Sequence, residues 1–315
     1  MNKLLNAEDL THVLYKLLPL KVLIGLAKIQ GKIQYKSRPA GKHVHENFKK
    51  YFADKYTPGE LEQMSRELFE WERVRSLITG LSPAMSVDKL SEILHIEGEE
   101  HLDAAIKRGK GAILLGSHLN SIIMFAAMTL WRKRGYDMSV AFPSENDAWG
   151  RTKLRKLLEK IGKPRDTLSE AVGGFYCQFN IRPIVKRLKE NQIVGQTGDG
   201  WHSANFVEAE FLGRKLPFTT ASWSIAQVSG AAILPLFITG DPSGNMRIII
   251  EAPVTFDDSV DKKADMEKMV RHYAGRLEHH MLQAPQAWQH WLKPDTLDAL
   301  VEWTQRDIAK RYEMD

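Results

Sequence analysis

Two long segments of the chain, residues 111–131 and 218–240, contain no Asp, Glu, Lys or Arg. Each is long enough to cross a bilayer, which takes about 20 apolar residues. However, the first holds Gly116-Ser-His-Leu-Asn-Ser121 near its centre, and the second breaks at Ser229-Gly230 and carries Pro235. Each segment is therefore predicted to contain a buried strand and a buried helix joined by a turn, and no membrane-spanning helix is expected.

Strand patterns and helix patterns alternate along the rest of the chain from about residue 93 onward. Strands are predicted over 138–142, 192–196 and 209–213, and helices over 149–161 and 181–190. Before residue 93 the apolar residues recur at helical spacing. The predicted fold class is α/β, a mixed central sheet flanked by helices on both faces, with a helical N-terminal extension. The predicted division is a helical extension over 1–92 and an α/β domain over 93–315.

The charge of the chain favours an anionic partner, because 44 Lys and Arg against 39 Asp and Glu leave a net charge of +5. Residues 17–29 are rich in leucine and punctuated by lysines, which suits a helix lying in a membrane surface. A helix packed on the domain with its lysines outward fits the same residues. The eight tryptophans show no stacking pattern, so no nucleic acid is expected. Cys177 is the single cysteine, so a disulfide framework is excluded.

His118 is the strongest candidate for chemistry. It lies between a predicted buried strand and the start of a predicted helix, and sites in α/β sheets gather at the carboxyl ends of strands. Histidine can remove a proton from an attacking hydroxyl or amine near neutral pH. The N–H groups of the helix start near Asn120 and Ser121 can hold an oxyanion or phosphate. The alternative is a histidine that only packs against the turn.

Asp199 is the second candidate, because it lies between Gly198 and Gly200 directly after another predicted strand. Its carboxylate could orient a catalytic histidine or bind an acceptor, although an aspartate that only stabilises a turn fits as well. Gly213 and Arg214 form a third candidate, where a cation beside a glycine could contact a phosphate or a carrier protein. A solvated basic turn is the alternative.

No metal or cofactor is expected from the motifs. The histidine pairs His43 with His45 and His279 with His280 lack a third ligand at useful spacing. The sequence also has no phosphate-binding glycine loop and no dinucleotide-binding glycine fingerprint.

Five blocks occur in a fixed order: residues 96–105, 109–118, 210–214, 219–237 and 284–291. Together they resemble the lipid A late acyltransferases, the lauroyl- and myristoyl-transferring branch of the lysophospholipid acyltransferase superfamily. The resemblance implies an acyltransferase attached peripherally to the cytoplasmic face of the bacterial inner membrane. It would move an acyl group from an acyl carrier protein thioester to a lipid hydroxyl, with the N-terminal extension as a membrane-facing cap.

The sequence departs from that family at its active-site motif. The family places an Asp or Glu five positions after the catalytic histidine, and this chain has Ile123 there. Phe142 occupies the place of a family cation. Asp199 matches an aspartate that follows the corresponding family strand, and it is expected to replace the missing acid. Less favoured substitutes are Glu145, Asp147 and Glu208.

Two hypotheses follow from this pattern. In the first, His118 is the general base, helix-start amides near Asn120 stabilise the oxyanion, Asp199 assists and Arg214 holds a phosphate or the carrier protein. The acceptor could then be an amine, or the donor could carry an aminoacyl group. In the second, catalysis has been lost, and the protein binds a lipid or a carrier protein in the same pathway.

Overall fold

The structure is a computed structural model that describes residues 15–142, 173–176, 180–200, 205–240, 243–256 and 259–302. The predicted helix over 149–161 and the residues Glu145, Asp147 and Cys177 lie outside these ranges.

In the described part of the chain, the helices α1 (Leu20–Ser37), α2 (Pro39–Phe52), α3 (Pro58–Leu81) and α4 (Val87–Ile93) precede the first strand. Helices α2 and α3 each begin with proline, whose fixed φ and missing N–H suit the first position of a helix. Thr57 and Glu60 form a capping box at the start of α3, in which each side chain accepts a main-chain N–H of the other residue. These local signals agree with the helical pattern that the sequence shows before residue 93.

Within the described ranges, seven strands form the central sheet in the order β1-β9-β8-β2-β5-β3-β4. Their bounds are β1 Leu94–Glu97, β2 Ala112–Gly116, β3 Met138–Phe142, β4 Phe175–Tyr176, β5 Ile193–Thr197, β8 Ala232–Gly240 and β9 Met246–Ile250. Neighbouring strands are parallel except β8 and β9, which are antiparallel. In the pairing of β2 with β5, Gly116 lies opposite Thr197. The turns that follow these two strands therefore start side by side.

Helices cover both faces of this sheet, as predicted. They are α5 (Glu100–Lys107), α6 (Ser121–Lys133), α7 (Arg182–Lys189), α8 (Ala221–Ser229) and α9 (Lys262–Gln283). Along β2 the side chains of Ala112 and Leu114 enter a core shared with α5 and α6, whereas Ile113 and Leu115 enter a core shared with α7, α8 and α9. Because successive side chains point to opposite faces, a strand that is apolar throughout must be covered on both sides.

Helix α3 joins the N-terminal helices to both cores. Its first half, from Leu61 to Trp71, packs in the core of α8 and α9, and its last turns, from Val74 to Leu81, pack in the core of α6. The Thr79 hydroxyl also donates to the main-chain oxygen of Ile122, 2.9 Å away in the first turn of α6. Helix α3 therefore passes beside the turn that follows β2.

A β-hairpin lies where the sequence predicted one short strand over 209–213. Strands β6 (Phe206–Phe211) and β7 (Arg214–Thr219) are joined by Leu212 and Gly213, whose φ values are 52° and 69°. Two positive φ values in a two-residue loop are typical of a type I′ turn, which usually takes Asn-Gly. Because the first loop residue is Leu212 rather than asparagine, the sequence does not indicate a hairpin here. The Leu212 N–H donates to Glu278 Oε1 on α9 at 3.0 Å, which anchors the turn.

Candidate active site

The turn after β2 presents His118. Asn120 adopts a left-handed conformation with φ of 53°, which ends the turn and starts α6. A C-terminal segment runs alongside: the Asn120 N–H donates to Ala287 O at 3.0 Å, and the Gln289 N–H donates to His118 O at 3.1 Å. Leu119 and Trp288 also form an antiparallel bridge. The main chain on both sides of His118 is therefore held in place.

The turn after β5 brings Asp199 towards His118. The Gly198 N–H donates to Gly116 O at 2.8 Å, which links the ends of the two strands. The buried Tyr273 side chain of α9 packs on Gly198, and its hydroxyl donates to the same Gly116 oxygen at 2.6 Å. A Cβ atom on Gly198 would lie 2.7 Å from Tyr273 Cε1, closer than real Cβ contacts come. Glycine is therefore required here by the close approach of the ring.

Replacing Gly198 with alanine is expected to lower the free energy of unfolding by about 1–3 kcal/mol, because the buried Tyr273 ring must move. Thermal unfolding measures the effect. Gly275→Ala, on the same helix as Tyr273, is the matched control: a Cβ there meets nothing within 4 Å, so its unfolding temperature should not fall. Equal unfolding temperatures for the Gly198→Ala variant and the wild type would contradict the packing described here.

The His118 ring and the Asp199 carboxylate are directly hydrogen-bonded. His118 Nδ1 lies 2.8 Å from Asp199 Oδ1, and the His118 main-chain N–H lies 2.9 Å from both carboxylate oxygens. An ionised carboxylate can only accept, so Nδ1 carries the proton of the ring. In a neutral ring the lone pair is then on Nε2, as a general base requires. The His118 side chain is 29% exposed, whereas that of Asp199 is 3% exposed.

The charge state of Asp199 follows from its neighbours. Burial alone raises the pKa of this carboxyl group. The His118 ring beside it, His290 and the hydrogen bond from Trp288 lower the pKa by more than burial raises it, so the pKa lies well below the usual range for aspartate. Asp199 is therefore ionised at neutral pH and can stabilise a positive charge on His118. Ile123, at the position where the resemblance places an acid, is buried in the core of α6. Glu208 is exposed on β6.

Two site residues, Trp288 and His290, escaped the sequence analysis. Trp288 Nε1 donates to Asp199 Oδ2 at 3.0 Å. The His290 ring packs on the His118 ring in a tilted arrangement with their centroids 4.2 Å apart, and its Nε2 lies 3.3 Å from the main-chain oxygen of Asp199. Burial, with the His118 ring beside it, lowers the pKa of His290 well below its usual value. Both residues belong to the block 284–291, which entered the sequence analysis only through the family resemblance.

His118, Asp199 and His290 form a cluster, within the described part of the chain, whose ligand atoms lie within 4.8 Å of one another. Its hydrogen bonds do not suit a cation, however. Both Asp199 oxygens accept N–H groups, and His290 Nε2 faces a carbonyl oxygen, to which it must donate. A metal ion would have to displace these donors.

Asn120 and Ser121 lie beside His118, but their side chains bond within the protein. The buried Asn120 amide accepts from the Arg75 guanidinium and donates to Ile238 O at 2.7 Å. The Ser121 hydroxyl lies 2.6 Å from Gln289 Oε1, to which it donates. A contact of either residue with substrate would therefore come from its main chain rather than from its side chain.

The other predicted binding residues lie at two places. Gly200 lies next to Asp199, at the wall of a small pocket that also includes Phe211 and Trp288. Gly213 and Arg214 lie at the β6–β7 turn, where the Arg214 guanidinium is 2.5 Å from Asp298 Oδ1. A phosphate or a carrier protein at Arg214 would have to compete with that carboxylate.

The fold and the site together define a class of protein. A histidine that is hydrogen-bonded to a buried carboxylate, at the carboxyl end of a strand in an α/β sheet, is an arrangement that could deprotonate a nucleophile for group transfer. The chain belongs to the bacterial lipid A biosynthesis acyltransferase family, whose sequence profile matches residues 11–295. It is therefore an acyltransferase, and the resemblance seen in the sequence is confirmed.

Similar proteins include two transferases. The phosphatidylinositol mannoside acyltransferase of Mycobacterium tuberculosis (strain CDC 1551 / Oshkosh) is 26% identical over 236 residues, which cover 73% of this chain and 69% of the relative. The lipid A biosynthesis lauroyltransferase of Escherichia coli (strain K12) is 23% identical over 281 residues, which cover 85% and 81%. A solved structure, the 1-acyl-sn-glycerophosphate acyltransferase of Thermotoga maritima, is 17% identical with a TM-score of 0.37 and covers 82% of this chain and 97% of its own.

Proposed function

We propose that the protein moves an acyl group from the thioester of a carrier protein to a lipid or glycolipid acceptor at a membrane surface, with His118 as general base. The observation that supports this most directly is the 2.8 Å contact between His118 Nδ1 and Asp199 Oδ1. It supplies the carboxylate that the sequence motif lacks at Ile123. The names of the relatives support the acceptor class, since a lipid A lauroyltransferase and a phosphatidylinositol mannoside acyltransferase act on glycolipids.

The proposed reaction needs one proton shuttle. His118 Nε2 takes the proton of the acceptor hydroxyl as its oxygen attacks the thioester carbonyl carbon, and Asp199 stabilises the imidazolium that forms. The tetrahedral intermediate then expels the carrier thiolate, which takes the proton back from His118. An acceptor amine or an aminoacyl donor would follow the same steps.

The developing oxyanion needs hydrogen-bond donors, and the start of α6 can provide two main-chain N–H groups. The N–H groups of Leu119 and Asn120 bond to Ser117 Oγ and Ala287 O within the turn. We therefore assign the oxyanion to the main-chain N–H groups of Ser121 and Ile122, the first two residues of the helix.

A transfer assay tests the proposal. The purified protein is incubated with lauroyl-loaded acyl carrier protein or lauroyl-CoA and a bacterial lipid extract, and lipids heavier by one lauroyl group are sought by mass spectrometry. We expect product from the carrier-protein donor, dependent on His118. Product from the CoA thioester alone would contradict the carrier-protein donor. If, with either donor, the wild type forms no more lauroylated lipid than the His118→Ala variant does, the result would instead favour a non-catalytic binding protein.

Helix α1 supports attachment to a membrane surface. Val22, Leu26, Ile29 and Ile33 recur three or four positions apart, and their exposed fractions range from 42% to 61%. Exposed lysines occur on the same helix at Lys21, Lys32 and Lys36. Within the described ranges, no helix combines the length and apolar character that crossing a bilayer requires. An apolar stripe with flanking cations suits a helix lying in an anionic interface, with residues 1–92 as the membrane-facing cap of the domain over 93–315.

Replacing Leu26 and Ile29 together with glutamate is expected to abolish co-sedimentation with vesicles of phosphatidylglycerol and phosphatidylethanolamine, because charges would replace the apolar stripe. Val260→Glu is the matched control, since Val260 is fully exposed and lies outside α1. Its binding should equal that of the wild type. Wild-type binding by the double variant would exclude this stripe as the contact surface.

A further inference from the structure

We infer that His290 is a positioning residue for the catalytic pair, an inference that rests on the proposed role of His118. It would fix the position of the His118 ring relative to the main chain of Asp199, so that Nδ1 of the base faces the carboxylate. The inference comes from two contacts of a ring that the proposed reaction does not itself use, and from a third contact made by the main chain of His290.

The first contact limits the motion of the His118 ring. The two imidazole rings lie 4.2 Å apart between centroids, with an angle of 35° between their planes. Behind His290, the Trp288 ring packs edge-on at 4.8 Å, and both residues are buried. One face of His118 therefore rests on a buried aromatic wall. Turning the ring about its side-chain bonds would require this wall to move.

The second contact holds the main chain that supports the carboxylate. His290 Nε2 lies 3.3 Å from the main-chain oxygen of Asp199 and 3.6 Å from its Oδ2. Since a carbonyl oxygen only accepts, Nε2 carries the proton and donates. The same side chain that packs on the base thus also restrains the residue that orients the base.

The third contact fixes the position of His290 itself. Its main-chain oxygen accepts the Thr296 hydroxyl at 2.8 Å, and that hydroxyl also accepts from the buried Asn47 amide of α2 at 2.9 Å. The main chain of His290 is therefore linked to α2 through Thr296. Because the His290 side chain is only 3% exposed, while that of His118 is 29% exposed, substrate would reach the base and not His290.

Two variants separate the contributions of the ring. His290→Gln keeps an N–H donor near the Nε2 position but removes the aromatic wall, and His290→Phe keeps the wall but removes the donor. With lauroyl-loaded acyl carrier protein and the lipid extract, we expect each to lower kcat at least tenfold and to change KM less than twofold. A second readout is the low-field proton resonance of His118 Nδ1–H, assigned by its loss in His118→Ala. We expect this signal to broaden in both variants, because the proton exchanges faster with water.

The outcomes separate the two proposals. If His118→Ala keeps the wild-type rate, the proposed role of His118 as general base fails, and the positioning role of His290 fails with it. If His118→Ala abolishes transfer, but His290→Gln and His290→Phe keep wild-type kcat and a sharp Nδ1–H signal, only the positioning role fails. The unfolding temperatures of both variants are measured as well, and a value near that of the wild type shows that a decrease in rate is not caused by unfolding. One variant that stays folded is sufficient for the test.

Discussion

Replacing His118 with alanine is expected to lower the rate of acyl transfer by about 10³-fold or more, while the protein stays folded. The variant loses the imidazole nitrogen proposed as the base, so the acceptor hydroxyl must lose its proton to water. Folding should persist because the turn is held largely by main-chain bonds, from the His118 N–H to Asp199 and from the Gln289 N–H to His118 O. Those bonds are available to alanine as well.

The measurement is the initial rate with the donor and lipid extract described above, together with the unfolding temperature. His95→Ala is the matched control, because His95 is exposed on the edge strand β1. Its rate should equal that of the wild type. A folded His118→Ala variant that transfers at the wild-type rate would remove His118 from the mechanism.

Replacing Asp199 with asparagine is expected to lower kcat by about 10²–10⁴-fold, because an amide cannot fix the ring in the same tautomer or stabilise an imidazolium. The effect on stability is separate. In the variant, the NH₂ group of the amide would face either the Trp288 indole N–H or the N–H groups of His118. One donor is then left without an acceptor in a buried site, which costs about 1–3 kcal/mol.

Glu208→Gln serves as the matched control for Asp199, because Glu208 is a carboxylate that the sequence also offers as a substitute for the missing acid. Its side chain is exposed on β6, so neither rate nor stability should change. Loss of activity in Glu208→Gln with full activity in Asp199→Asn would reverse the assignment.

His118 and Asp199 are visible in the sequence for a shared reason. Each follows an apolar strand and a glycine, a combination that marks the carboxyl end of a buried strand. Their contact could be expected only from the family resemblance, because it depends on β2 lying next to β5, and strand order is set by packing of the whole sheet. Ile123 gives a useful indirect signal, since a motif without its acid indicates that a carboxylate must come from elsewhere.

The surroundings of this pair are less predictable. His290 lies 91 positions from Asp199 in the chain, and nothing in its local pattern separates it from other buried histidines. For Asn120 and Ser121 the sequence predicts a role of the main-chain N–H groups, and it does not show that their side chains bond to Arg75 and Gln289. Arg75 comes from α3, 45 positions earlier. Long-range packing of this kind leaves no periodic trace in the sequence.

The most direct test of the account is a comparison of transfer rates in His118→Ala, Asp199→Asn and the double variant. If Asp199 acts through His118, the double variant should transfer at the rate of the His118→Ala variant within about threefold, because removing Asp199 costs nothing further once the ring on which it acts is gone. A double variant whose loss equals the product of the two single losses would show that the residues act independently, and would contradict the catalytic pair.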